Sequence, residues 1–235
     1  MDAGIRISKA AALIGDSSRA AMLWSLLGGE SRPASELAML ANVSPQTASN
    51  HLRLLLDAGF LKVTAAGRNK FYRLAEPSVA AAVESLAVVV HAKRMDGAAQ
   101  HSAPELVFAR TCYDHLAGEL GVTLLLRLCE KDYLRENADA YSVTSSGEKF
   151  LTGIGIDLES ARGKRRRFAY ACLDWSHRVP HLGGSLGAAL LDWMFLTKIL
   201  ARRKMSRAIR LTDMGQEQLQ QLFAIRLTHS GTVIR

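Results

Sequence analysis

Two short segments of the chain combine cysteine, aspartate and histidine at a similar spacing. They contain Cys112, Asp114 and His115 in the first segment, and Cys172, Asp174, His177 and His181 in the second. Thiolate, imidazole and carboxylate groups are the ligands that Zn²⁺ and similar ions prefer. If the two segments pack together, each supplies half of a four-ligand site. We therefore expect Cys112, His115, Cys172 and His181 as candidate metal ligands.

The same residues also have interpretations without a metal. The chain has no Cys-x-x-Cys, and the spacing matches no established metal motif. Both cysteines can be small buried hydrophobic residues, with the aspartates capping helices. A thiol-reactive sensor is a third interpretation, and nearby aromatic residues such as Tyr113 and Trp175 can line a pocket for an organic effector. All of these interpretations stay open on the sequence alone.

Catalysis finds little support in the sequence. A cysteine and a histidine three residues apart would share one face of a helix, where they could act as nucleophile and base. However, the chain has no P-loop, no HExxH and no GxGxxG after a predicted strand. We therefore predict that the protein is not an enzyme and that no cofactor is needed for its basic activity.

A run of polar residues near position 50 has the chemistry that reads DNA. Ser44 can cap a helix, and Pro45 fits the first turn because no hydrogen bond is lost there. Ala48, Leu52, Leu55 and Leu56 recur at helical spacing and should pack inward. Amides, hydroxyls and a guanidinium on the other face can pair with base edges in a major groove. The residues expected to contact DNA are Ser44, Gln46, Thr47, Ser49, Asn50, His51 and Arg53.

A basic hairpin is predicted directly after this helix. Ala58-Gly59 ends the helix, and residues 60–66 and 71–74 have the composition of two strands. The predicted connection, residues 67–70, reads Gly-Arg-Asn-Lys and combines turn residues with the cations Arg68 and Lys70. Such a basic tip suits contacts with phosphates.

Two further helices are predicted before the polar run. Asp16-Ser17 can cap a helix that continues to Leu27 and is closed by Gly28-Gly29. Pro33 opens a second, short helix over residues 34–41. Because only a short turn separates this helix from Ser44, the arrangement is that of a helix-turn-helix.

The stretches GDSSRAAMLWSLL, SELAMLANVSPQTASNHLRLLLDAGFL and GRNKFYRL carry a family resemblance. Together they resemble the winged-helix domain of the ArsR/SmtB family of bacterial repressors, over roughly residues 5–97. The resemblance implies a transcriptional repressor that binds double-stranded DNA as a homodimer, with the first and last helices of the domain at the interface. The last helix is predicted from Pro77, with an apolar stripe formed by Val79, Val83, Leu86, Ala87 and Val90.

The metal sites of that family are not reproduced here. The first helix of the helix-turn-helix reads SELAMLANV and has no cysteine, whereas thiolate-sensing members carry a cysteine pair there. The helix from Pro77 to Gly97 offers only Glu84, His91 and Asp96, without the matching pairs of the other members. Effector sensing is therefore expected elsewhere in the chain.

Composition narrows the class of partner. The 235 residues carry a net charge of +8 with pI ≈ 9.7, which favours a polyanion. No apolar run approaches the ~18–20 residues of a membrane-spanning helix, so we expect no membrane partner. Three widely spaced cysteines favour a reducing cytoplasm. A non-specific architectural DNA-binding protein is the alternative that charge alone would satisfy.

The second half of the chain contains an internal repeat. HLxGxLG occurs at residues 115–121 and 181–187, and a Thr-x-x-Gly motif follows at 144–147 and 212–215. Ordered matches at nearly constant offset indicate a duplicated unit. Each copy is predicted as a short helix, a longer helix (residues 187–198 in the second copy, continuing toward 204), and a strand leading into a helix capped by threonine.

These observations predict a mainly α fold of the α+β class. A winged helix-turn-helix domain for DNA binding and dimerisation would span residues 1–98. A mostly helical, duplicated domain with short hairpins or strands would span residues 105–235, with repeat units at about 108–158 and 170–228. The small polar residues around 97–104 are predicted as the linker.

Overall fold

The computed structural model of the protein describes residues 3–67, 69–89, 104–138, 140–204, 206–227 and 233–234. The chain divides into two compact units, Met1–Val89 with Met205–Arg207, and Val90–Lys204 with Ala208–Arg235. The predicted fold class is confirmed, because a winged helix-turn-helix is followed by helices and short antiparallel strands. The predicted linker before Pro104, together with Arg68, Val90, His91 and Asp96, lies outside the described residues.

The first unit is built on helices whose ends the sequence marks clearly. They are α1 (Ala3–Ile14), α2 (Ser17–Ser25), α3 (Ala34–Leu40), α4 (Pro45–Asp57) and α5 (Pro77–Val89). The carboxylate of Asp16 accepts a hydrogen bond from the Arg19 backbone N–H at 2.9 Å, and Ser44 accepts one from Thr47 at 3.1 Å. The predicted caps and the predicted end of α4 before Ala58 are confirmed. The helix α2 ends two residues earlier than predicted.

A three-stranded antiparallel sheet completes the winged helix. Its strands are β1 (Arg32–Pro33), β2 (Leu61–Ala66) and β3 (Asn69–Leu74), in the order β1-β3-β2. Ala66 pairs with Asn69, so the paired strands extend to these residues, and Gly67 after β2 has a φ of +61°, which glycine adopts readily. The four-residue connection predicted for 67–70 is therefore wrong, since Asn69 and Lys70 belong to β3. The strand β1 was not predicted.

The core of the first unit lies between α2, α3, α4 and the sheet. Of the inward positions predicted for α4, Ala48, Leu52 and Leu55 are buried, and Leu56 is partly buried against the same core. They pack with Met22, Leu23, Leu26, Leu27, Leu37, Ala38, Leu61, Tyr72, Leu74, Ala80 and Val83. This core fixes α4 through one face and leaves its opposite face in solvent.

After its first short helix, the second unit has a hairpin, a helix, a second hairpin and a second helix, in that order along the chain. After α6 (Pro104–Phe108) come β4 (Arg110–Cys112), β5 (His115–Ala117), α7 (Glu119–Glu130), β6 (Leu134–Asn137), β7 (Ala140–Val143) and α8 (Ser145–Gly153). The hairpin β4-β5 replaces the short helix predicted here. Glycine at position 118, with φ +84°, carries the chain from β5 into α7.

The same order of elements follows in the rest of the unit. After α9 (Leu158–Arg162) come β8 (Tyr170–Leu173), β9 (Pro180–Gly183), α10 (Gly184–Leu196), β10 (Leu200–Arg202), β11 (Ile209–Leu211), α11 (Asp213–Phe223), β12 (Arg226–Leu227) and β13 (Val233–Ile234). The strands β6, β7, β8 and β9 form one four-stranded sheet in that order. The long helix predicted for 187–198 is confirmed as α10, which starts three residues earlier and ends two residues earlier; its predicted continuation toward 204 is wrong, because β10 follows.

The predicted threonine caps are confirmed in both halves of this unit. The hydroxyl of Thr144 accepts a hydrogen bond from Gly147 N–H at 3.0 Å, and that of Thr212 accepts one from Gly215 N–H at 2.8 Å. Both glycines lie against backbone, because an added Cβ would fall 2.0 Å from the Tyr133 oxygen and 2.1 Å from the Ile199 oxygen. Among the described residues, no helix is both long and apolar enough to cross a membrane.

Candidate functional site

The polar face of α4 is open to solvent. Six of the residues predicted to contact DNA are exposed, namely Ser44, Gln46, Thr47, Ser49, Asn50 and Arg53. The opposite face is fixed in the core by Ala48, Leu52 and Leu55, which are 1%, 1% and 0% exposed. The helix thus presents hydroxyl, amide and guanidinium groups from a rigid support, which is the chemistry that base edges can pair with.

His51 differs from the other predicted contacts because it is half-buried. Its Nδ1 lies 3.2 Å from Nη1 of Arg19, and its Nε2 lies 3.9 Å from the carboxylate of Asp16. Arg19 also donates hydrogen bonds to the carbonyls of Leu13 and Ala12, at 2.6 and 2.9 Å. The hydrogen bond from the Arg19 backbone holds the pKa of Asp16 below its usual value. The histidine therefore ties α4 to the start of α2 and helps to set its position.

The hairpin β2-β3 carries its cations on the strands. Lys70 is exposed on β3, whereas Arg68 lies outside the described residues. Sequence reasoning missed two further cations, Lys62 and Arg73, which are directly opposite each other on β2 and β3. Lys62 is neutralised locally by Glu76 at 2.6 Å, and this hydrogen bond lowers the pKa of Glu76. Lys70 is thus an exposed cation on this hairpin that a phosphate can reach.

The two Cys-His segments form matching hairpins. In β4-β5 Cys112 pairs directly with His115, and in β8-β9 Cys172 pairs directly with His181. The three-residue spacing of Cys112 and His115 thus comes from a tight turn at Tyr113, with φ +56°, and the predicted helical arrangement is wrong. Each hairpin places a thiol and an imidazole side by side on one face.

The four side chains of these hairpins meet at one point. One ligand atom from each of Cys112, His115, Cys172 and His181 lies within 4.8 Å of all the others. The imidazole centroids are 5.1 Å apart, and the two histidines are 2% and 1% exposed. The structure therefore brings together all four candidate ligands. Cys129 lies apart from them on α7, where burial raises the pKa of its thiol.

A buried ion pair supports the second hairpin. Asp174 is 0% exposed and accepts hydrogen bonds from Arg110 at 2.9 Å and from Gly118 N–H at 2.8 Å. Ser176 donates to it through both its N–H and its hydroxyl, at 2.9 and 2.6 Å. Burial raises the pKa of Asp174, but the hydrogen bond from His177 and the charge of Arg110 outweigh it and hold the pKa far below its usual value. Asp174 therefore organises the turn after β8 instead of capping a helix.

Aspartates stand beside both buried imidazoles. Oδ1 of Asp114 lies 3.4 Å from Nδ1 of His115, and Oδ2 of Asp174 lies 3.5 Å from Nδ1 of His181. Asp114 is also paired with the guanidinium of Arg166. Burial lowers the pKa of His115, but the Asp114 carboxylate and the Cys112 thiol beside the ring raise it, with a net result of about 9. His177 contacts Asp174 and is not one of the four converging side chains.

The chain also contains a GxSxG pattern, but the structure buries its serine. Residues 183–187 read Gly-Gly-Ser-Leu-Gly, a GxSxG pattern at a strand-to-helix turn, where a serine nucleophile can be exposed. Ser185 is 0% exposed, however, and its hydroxyl donates a hydrogen bond to the Ala161 carbonyl at 2.6 Å. A serine held in this way anchors α10 and does not act as a nucleophile.

The chain is similar to known DNA-binding proteins and transcriptional regulators. A family model described as a helix-turn-helix domain matches residues 14–64. The HTH-type transcriptional regulator YdfF of Bacillus subtilis is 44% identical over 211 residues, which cover 89% of this chain and 93% of that protein.

Solved structures similar to this chain are more distant. The transcriptional repressor BigR of Xylella fastidiosa is 20% identical, over 38% of this chain and 91% of its own, with a TM-score of 0.35. HlyU of Vibrio cholerae is 22% identical, over 38% of this chain and 98% of its own, also with a TM-score of 0.35.

Proposed function

We propose that this chain, which belongs to the helix-turn-helix transcriptional regulators, is a sequence-specific repressor that binds a pseudo-palindromic operator as a homodimer. The observation that carries the proposal is the outward face of α4, where Gln46, Asn50 and Arg53 are exposed on a helix anchored by its other face. Amide and guanidinium groups discriminate between base pairs in a major groove, whereas cations alone do not.

The rest of the first unit supports this mode of binding. In a dimeric helix-turn-helix protein each recognition helix enters a major groove, with half-sites about one helical turn (~34 Å) apart. Lys70 on β3, together with Arg68 as the second predicted cation, would contact phosphates beside the groove. The net charge of +8 favours the approach to DNA as a whole.

The proposed dimer uses the first and last helices of this unit, as the family resemblance implies. Ile5 and Ile7 on α1 are 49% and 69% exposed, and Leu86 on α5 is 46% exposed. Exposed apolar side chains of this size favour burial against a partner. Val79 and Val83, predicted for the same stripe, pack into the core of their own unit, so Leu86 and its neighbours would make the contact.

We further propose that residues 105–235 are a duplicated domain that senses an effector and that residues 1–98 are the DNA-binding domain. The duplication is supported by the repeated order of hairpin, helix, hairpin and helix, and by the equivalent threonine caps of α8 and α11. An effector that binds one conformation of the dimer better than another would change operator affinity by that difference.

Selection from a random pool of double-stranded DNA by the full-length chain tests the function. We expect enrichment of one motif with dyad symmetry. When this motif is placed at the promoter of a reporter gene, the protein should repress the reporter. A Gln46→Ala/Asn50→Ala double variant should lose or change the motif, whereas Gln216→Ala, an exposed amide on α11, should keep it. The same motif from the double variant would show that α4 does not read the bases.

The alternative is a non-specific architectural protein, which the high net charge favours. This function predicts tight binding to the whole pool without enrichment of any sequence. If the wild-type chain binds in this way, the proposal of a sequence-specific regulator is wrong and the protein is a non-specific architectural protein.

A further inference from the structure

The convergence of Cys112, His115, Cys172 and His181 is built by two hairpins and not by chance side-chain contact. In each hairpin the cysteine and histidine are directly opposed across the strands, so both point to the same face. The residues of one pair are separated from those of the other by more than fifty positions in the chain, yet all four ligand atoms lie within 4.8 Å. Two thiols and two imidazoles are a complete ligand set for a tetrahedral ion.

The distances are close to those of a bound ion. Around Zn²⁺, with bonds of about 2.0–2.3 Å, tetrahedral ligand atoms lie roughly 3.3–3.8 Å apart. The separations here reach at most 4.8 Å, so the cluster would have to contract by about 1 Å. Changes in the side-chain torsion angles of the ligands can cover a distance of this size.

The buried ring nitrogens of the cluster can accept a cation. Among the described residues, Nε2 of His115 and both ring nitrogens of His181 are buried without a hydrogen-bond partner. A buried polar group without a partner is costly and uncommon, so each such group calls for an explanation. A cation between the two rings would accept a lone pair from each Nε2.

A carboxylate lies beside the Nδ1 atom of each ring. Asp114 is hydrogen-bonded to Nδ1 of His115 at 3.4 Å, whereas Asp174 lies 3.5 Å from Nδ1 of His181 without a hydrogen bond to it. Histidine ligands usually donate their second ring N–H to such a carboxylate, which leaves the other nitrogen directed at the metal. Asp174 is itself fixed by Arg110 and by the Gly118 N–H, so its position is preset.

We propose that Cys112, His115, Cys172 and His181 bind one thiophilic divalent cation of the Zn²⁺ class. The ion displaces one proton from each of two thiols and, where the His115 ring is charged, the extra proton of that ring; two thiolates and two neutral imidazoles then neutralise its charge. Four protein ligands fill a tetrahedral shell, so the ion joins the hairpins β4-β5 and β8-β9 and does not activate water. This site is independent of the DNA-binding proposal, since none of its residues lies in the first unit.

Metal binding by the reduced, full-length chain tests the proposal without any variant. After treatment with a chelator and its removal, the protein should take up one Zn²⁺ per chain, and the ion should shield two of the three thiols from a thiol reagent. Co²⁺ in its place should give the visible bands of tetrahedral coordination and a thiolate-to-metal charge-transfer band. Tm should rise with metal concentration. The proposal would be overturned if the protein took up no Zn²⁺, or if all three thiols stayed reactive with the metal present. A Cys112–Cys172 disulfide in protein purified under reducing conditions would also overturn it.

Variants then locate the site. Cys112→Ser and Cys172→Ser should each lose the charge-transfer intensity and weaken Zn²⁺ binding by at least a hundredfold. Cys129→Ser, on α7, is the matched control and should bind as the wild type does. Asp114→Asn keeps the four ligands and should weaken binding by about 10–100-fold. Unchanged affinity in both ligand variants, with the fold verified by circular dichroism, would contradict the assignment.

Discussion

At the scale of single residues, Asn50 is the side chain on which sequence discrimination depends most. Its amide is exposed near the middle of the polar face of α4, and an amide can donate to and accept from the same adenine. We expect Asn50→Ala to weaken binding to the selected operator by about 1–3 kcal/mol and to leave binding to random DNA unchanged. Fluorescence anisotropy on both DNAs measures the difference. Gln216→Ala should change neither, and an equal loss on both DNAs for Asn50→Ala would refute base reading.

Lys70 should act in a different way, because a phosphate contact carries no sequence information. We expect Lys70→Ala to weaken binding to all sequences similarly and to reduce the slope of log K against log salt by about 1. Titrations at several salt concentrations measure this slope. Lys149→Ala removes an exposed lysine from α8 and serves as the control. If Lys70→Ala alters only the operator complex, the residue reads bases and the proposed role is wrong.

The sequence predicts some residue environments well and others poorly. The inward and outward faces of α4 follow from the helical period, so Leu52 and Asn50 could be assigned without a structure. The contact between Arg19 and His51 could not, because it joins residues that only packing brings together. The same holds for the buried pair of Arg110 and Asp174, which are 64 residues apart.

At the scale of secondary structure, the start of α8 depends on close contact with the preceding loop. A Cβ on Gly147 would fall 2.0 Å from the Tyr133 carbonyl oxygen, so Gly147→Ala must displace backbone. We expect a loss of about 1–3 kcal/mol in the free energy of unfolding, or more if the loop cannot yield. Urea denaturation of the full-length chain measures it.

The same helix offers a matched control for this prediction. At Gly153, the last residue of α8, an added Cβ would meet nothing within 4 Å. Gly153→Ala should therefore leave stability unchanged or slightly raised, since alanine has less conformational freedom to lose. Equal stability of the two variants would show that the approach of α8 to Tyr133 is not tight.

Elements with strong local signals were predicted, and short apolar segments were not. The caps at Ser44, Thr144 and Thr212 each mark a helix that the structure contains. The hairpin β4-β5 was predicted as helix because its strands have only three residues each, too few to show a period of two. The convergence of the four Cys and His side chains was predicted from the repeat, but its basis in cross-strand pairing was not.

At the scale of the whole molecule, the proposed dimer can be separated from other forms of association. Ile7 on α1 is 69% exposed, so Ile7→Lys should place a charge in the proposed interface without disturbing the core of the monomer. We expect at least a tenfold weaker dimer by sedimentation equilibrium, with a matching loss of operator affinity. Leu196→Lys is the control, because Leu196 on α10 is 82% exposed and lies in the second unit. A monomeric wild-type chain, or a dimer lost only in Leu196→Lys, would contradict this interface.

The most direct test of the central claim is hydroxyl-radical footprinting of the full-length protein on its selected DNA. Recognition by α4 from two subunits predicts two protected patches on one face of the duplex, related by a dyad and about one helical turn (~34 Å) apart. In the Gln46→Ala/Asn50→Ala variant these patches should weaken to the level of random DNA. Continuous protection without a dyad, or patches that persist unchanged in that variant, would contradict the account.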